Sequence, residues 1–104
     1  MRFGLTENTI GQINSIFAKH GAVEKVILYG SRAKGNYKNG SDIDLTLCGL
    51  ELNQRLLLQI MTELDDLLLP YSIDLSIYRQ IDNSNLIEHI QRIGIIFYQR
   101  TDNE

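Results

Sequence analysis

Leu28-Tyr29-Gly30-Ser31-Arg32-Ala33-Lys34-Gly35-Asn36-Tyr37-Lys38-Asn39-Gly40-Ser41-Asp42-Ile43-Asp44-Leu45 carries the decisive pattern of this chain: a Gly-Ser pair, ten intervening residues, then Asp-x-Asp, with apolar runs on both sides. Gly30 has no Cβ, so backbone can approach a phosphate closely there. Ser31 adds a hydroxyl beside amides that open a turn. Arg32, Lys34 and Lys38 add positive charge, and no acid between Glu24 and Asp42 cancels it. Asp42 and Asp44, two apart on a strand, leave from one face, and Ile43 and Leu45 leave from the other. Carboxylates this close repel unless a cation lies between them. Magnesium suits such ligands, because it takes a couple of carboxylates and completes its shell with water and phosphate. Alone, the first half reads as an ordinary turn and the second as a solvated strand end; together they suit a triphosphate beside a divalent metal.

Outward from this stretch, Val23 to Tyr29 is a β-branched strand stopped by Gly30, and Ser31 can cap a single helical turn. Asn36 to Ser41 is a loop with Asn39-Gly40 at its tightest point, and Asp42 to Cys48 alternates as a half-buried strand. On the N-terminal side, Thr6 caps a helix to about His20 with Ile10, Ile13, Ile16 and Phe17 as its stripe. Gly21 is expected to end it in the left-handed conformation. On the C-terminal side, a helix is expected from about Asn53 to Leu69, ended by Pro70. Its nine apolar residues exceed a single stripe, which fits either burial on two sides or docking of a partner or second copy.

Tyr71 to Tyr78 alternates again, with Ile73, Leu75 and Ile77 on one face and Ser72, Asp74 and Ser76 on the other. Asn83 or Ser84 caps a last helix through Arg92, Gly94 ends it, Ile95 to Tyr98 adds a short strand, and residues 100–104 read as frayed. The first two strands, joined by a loop, are expected antiparallel, and the long helix permits a crossover to a parallel third.

The 104 residues suffice for one domain, spanning 1–104, with a modest core. A net charge of −3 argues against a general nucleic-acid coating role. The single cysteine, Cys48, excludes an internal disulfide and favours the cytosol. With neither a basic leader before an apolar stretch nor a run of membrane-spanning length, the expectation is a soluble, cytoplasmic protein. Asp74 sits between Ile73 and Leu75, where a carboxylate is unwelcome without a reason. It reads either as part of an exposed polar face or, if its strand lies beside the second, as a third acid near Asp42 and Asp44. Arg32 leans towards a phosphate contact; Lys34 is balanced between that role and a plain surface charge.

Gly30-Ser31, the ten-residue gap and the string Ser41-Asp42-Ile43-Asp44-Leu45 resemble the signature of the nucleotidyltransferase superfamily that includes DNA polymerase beta, and within it the minimal nucleotidyltransferase (MNT) proteins. The likeness spans roughly residues 23–78. It implies an α/β (α+β) nucleotidyltransferase fold, a small mixed sheet with helices packed mainly on one face. Asp42 and Asp44 would hold two magnesium ions, with Asp74 in the place of the third carboxylate, completing the metal site and helping to deprotonate an attacking hydroxyl. Gly30 and Ser31 would grip the β- and γ-phosphates, and the reaction would be in-line attack on the α-phosphate of ATP with pyrophosphate leaving.

The resemblance further implies an antitoxin that transfers AMP from ATP to a tyrosine of a HEPN-domain ribonuclease toxin, since the chain lacks the Arg-and-His motif of such ribonucleases. Two alternatives stay open: an antitoxin that acts by binding alone, and a nucleotidyltransferase with a small-molecule or nucleic-acid acceptor. The latter would call for a substrate domain or a basic tract, and the chain has neither. His20, His89, Cys48 and Tyr37 are set aside as structural or surface residues, and Thr46 as no more than a support for the site.

Overall fold

Alternating apolar residues build four strands: β1 (Lys25–Tyr29), β2 (Ile43–Cys48), β3 (Ile73–Ile77) and β4 (Ile95–Gln99). The structure, a computed structural model, describes residues 1–101. The sheet runs β3-β2-β1-β4. β1 pairs antiparallel with β2 and with β4, while β2 and β3 are parallel. The crossover between the parallel strands is helix α3 (Gln54–Asp65), as the sequence predicts.

Parity then sorts the side chains. Leu28 pairs with Leu45 and Val26 with Leu47, and Leu45 pairs with Leu75, so one face is a continuous apolar layer. α3 and the first helix, α1 (Glu7–Ala18), cover that layer with Leu57, Ile60 and Leu64 and with Ile10, Ile13 and Phe17. Each fully buried residue of this size stabilises the fold by roughly 1.5–3 kcal/mol relative to exposure. Thr6 and Asn53 cap these two helices by accepting from the amides of Thr9 and Leu56.

The last helix, α4 (Ser84–Ile93), lies on the other face, over β1. It is strongly amphipathic, and Ile90 is its one buried residue. Its approach is close, because a Cβ on Gly94 would come within 2.7 Å of Ile27 Cγ2. Ile90 and Tyr29 are buried here, outside the main core.

Three local expectations are corrected. α1 is capped at Lys19, where the amides of Lys19 and His20 donate to the carbonyls of Ile16 and Phe17, and Gly21 does not adopt a positive φ. α3 stops at Asp65, four residues before Leu69, and Leu68 takes a left-handed φ of 55°. Two successive acids at a helix C-terminus oppose its dipole, and Pro70 pushes Leu69 out of the helical region. α3 is buried on one side only, leaving Leu58 and Met61 exposed. At the C-terminus, the amide of Arg100 donates to Glu24 O, so this residue is tied down rather than frayed; residues 102–104 lie outside the described residues.

Candidate active site

Strand register assembles the acidic face. Parallel pairing sets Asp44 directly against Asp74, both opposite in parity to the core residues Leu45 and Leu75. Asp42 lies one residue before β2 and shares that parity. Antiparallel pairing sets Tyr29 against Asp44, which delivers the next residue, Gly30, to the carboxylate. Gly30 has φ +76°, and a Cβ there would collide with the Asp44 side chain, whose Cγ would be 3.1 Å away. Only glycine fits. Beneath the acids, Thr46 is fully buried and accepts a 2.9 Å hydrogen bond from Ser76 Oγ.

Burial raises the Asp44 carboxyl above its ordinary range; the charges of Asp74 and then Asp42 raise it further, against a smaller opposing effect from His89. Burial, with Asp74 next, likewise raises the Tyr29 hydroxyl, which a hydrogen bond with Ser76 partly offsets. Burial leads in both shifts and neighbouring negative charge adds to it, a charge that a cation would relieve. Among the described residues no three His, Cys, Asp or Glu side chains form a ready metal cage. Magnesium does not need one, since it uses one or two carboxylates plus water and substrate phosphate. The donor set fits that ion.

Beside the acids, Gly30 opens a single helical turn, α2 (Ser31–Lys34), closed by Gly35 in the left-handed conformation. Ser31 is the first residue of that turn and not its cap, because no side chain caps it. Lys34 is exposed.

Arg32, expected at a phosphate, is turned inward onto backbone carbonyls. It is only 3% exposed. Its Nε and Nη2 donate to Ser41 O at 3.1 and 2.8 Å, and its Nη1 donates to Phe3 O at 2.8 Å. Tyr37 and Tyr71 lie against the guanidinium, 5.2 and 4.9 Å from ring centre to Cζ. Arg32 therefore fixes the carbonyl just before Asp42 and anchors the N-terminal segment. A cleft of about 450 Å³ beside it, lined by Gly4, Tyr37, Lys38 and Tyr71, includes none of the three carboxylates.

His89, read from the sequence as structural or exposed, does have a structural contact at the site: its Nε2 accepts the Gly30 amide at 3.2 Å and its ring meets Tyr29 edge-on at 6.1 Å. Nothing in the sequence around His89 marks this contact, which depends on where α4 docks.

The family described as polymerase beta, nucleotidyltransferase, matches residues 11–103. The chain belongs to this family. A search of curated proteins found no match. Among solved structures, a toxin–antitoxin complex with AMP-PNP aligns at 21% identity and TM-score 0.69, over 92% of this chain and 75% of that one. A tri-AMPylated Shewanella oneidensis HEPN toxin in complex with MNT antitoxin aligns at 15% identity and TM-score 0.67, over 92% and 74%. A MntA–HepT toxin–antitoxin aligns at 15% identity and TM-score 0.67, over 91% and 74%. At these identities the likeness establishes a shared nucleotidyltransferase fold. The family match contains the Gly30-Ser31 turn and all three carboxylates of this nucleotidyltransferase.

Proposed function

We propose that this nucleotidyltransferase is the antitoxin of a HEPN/MNT pair and silences a cytoplasmic HEPN ribonuclease by moving AMP from ATP onto one of its tyrosines. The observation that carries the reading is the in-register Asp44–Asp74 pair, with Asp42 beside it and the Gly30 backbone closed against Asp44. The neighbours with AMP-PNP and with an AMPylated HEPN toxin supply the acceptor and nucleotide by analogy.

In this scheme Gly30 and Ser31 hold the β- and γ-phosphates, which points the α-phosphate at the acidic face. Asp42 and Asp44, with Asp74, would hold magnesium. The chemistry magnesium supplies when bound is charge neutralisation of the triphosphate and stabilisation of the entering and departing oxygens. Asp74 accepts the proton of the acceptor tyrosine hydroxyl. That oxygen bonds to the α-phosphorus as the α–β bridging P–O bond breaks, and pyrophosphate leaves. Arg32 keeps Asp42 in place through Ser41, and Lys34 remains an outlying charge.

The test is incubation of a co-purified HEPN partner with magnesium and ATP labelled at either the α- or the γ-phosphate. Label from the α-position alone should appear on the partner. Label from the γ-position, or none from either, contradicts the reading.

A further inference from the structure

Gly30 is where the strand, the turn and the acids meet, and its backbone has one carbonyl and one amide to satisfy. The carbonyl accepts from Lys34 inside the turn, at 3.0 Å. The amide leaves the turn and finds a side chain 59 residues away, His89 Nε2 on α4. α4 is set by a separate contact, since Ile90 is buried beneath it and Gly94 lies hard against Ile27. His89 is therefore carried on a docked helix and presented to the turn.

We propose that His89 is a positioning residue for the triphosphate: its imidazole nitrogen holds the Gly30 peptide in the orientation that turns Ser31 and the following amides towards the phosphates. The role rests on the nucleotidyltransferase reading above and adds α4 to the nucleotide site. A left-handed glycine is the backbone position with the most freedom to reorient, and an acceptor on its amide removes that freedom before the nucleotide arrives. The T-shaped contact with Tyr29 keeps the ring on edge so that Nε2 faces the amide.

Two substitutions separate the hydrogen bond from the packing. His89→Phe keeps a ring against Tyr29 and removes the acceptor, while His89→Gln offers a carbonyl oxygen at about the reach of Nε2. His89→Phe should bind ATP–magnesium roughly three- to tenfold more weakly, as loss of one neutral hydrogen bond implies, with the loss falling on KM for ATP more than on kcat. His89→Gln should restore most of the affinity. Amide hydrogen exchange at Gly30 should be slow in the wild-type and Gln chains and fast in the Phe chain. Wild-type affinity in His89→Phe, or equal weakening in both variants, overturns the positioning role and leaves the transferase reading intact. Unchanged Gly30 exchange in His89→Phe overturns the contact itself. A wild-type chain that does not bind ATP–magnesium overturns the transferase reading, and the role of His89 within it.

Discussion

On β2, Leu45 is wholly buried in the core shared with α1 and α3, while its neighbour Asp44 stands half-buried on the opposite face with Asp42 and Asp74. The same alternation runs along β3, where Leu75 is buried and Asp74 is exposed. One face of the sheet thus gathers the main core, and the other, beside the smaller packing under α4, gathers like charges that work against the fold. The separation is made by strand parity alone, so it can be probed by substitutions one residue apart.

The largest expected effect is on the core face. Leu45→Ala removes a side chain with 0% exposure and should destabilise the protein by about 2–5 kcal/mol in urea unfolding. A loss below about 1 kcal/mol would mean that this face tolerates voids and that the contrast is weaker than described. Arg32 lies between the two regions. Arg32→Lys keeps the charge but loses the fork that joins Ser41 O and Phe3 O, and should lower stability by about 1.5–3 kcal/mol. If it lowered ATP affinity with no change in stability, Arg32 would be a phosphate ligand after all.

The smallest effect has the opposite sign. The folded-state pKa of Asp44 is raised, so its ionised form opposes folding at neutral pH, and the opposition fades as pH falls through that raised value towards the ordinary carboxylate range. Asp44→Asn should therefore raise the melting temperature of the metal-free protein by roughly 1–3 °C at neutral pH, an amount kept small by solvent screening. The gain should vanish in acid, and magnesium should stabilise the wild type more than the variant. A drop in melting temperature would show that Asp44 supports the fold instead of burdening it.

Much of this contrast was legible in the sequence because it is written with period two. Alternation around Asp42-Ile43-Asp44-Leu45 and Ile73-Asp74-Leu75 gave the strands and the side on which each carboxylate emerges. The Gly30-Ser31 turn was legible too, since the glycine has no substitute where a Cβ would strike Asp44. What escaped was non-local. The direction of the Arg32 side chain depends on carbonyls at Ser41 and Phe3, and neither leaves a mark on the residues around Arg32. His89 reaches Gly30 only because α4 docks on the acidic side of the sheet, and an amphipathic helix does not declare which face of a sheet it will cover. The early end of α3 escaped because apolar residues continue past it, through Leu67, Leu68 and Leu69, after the helical backbone has stopped.

The most direct test of the division between a stabilising face and a chemical face is the intact mass of the proposed HEPN partner after incubation with ATP, magnesium and either the wild-type chain or the Asp42→Asn/Asp44→Asn chain. The variant should be folded, with a melting temperature no lower than wild type. The partner should gain the mass of adenylyl groups from the wild type and none from the variant. An equal gain with both chains would place the chemistry somewhere other than the acidic face.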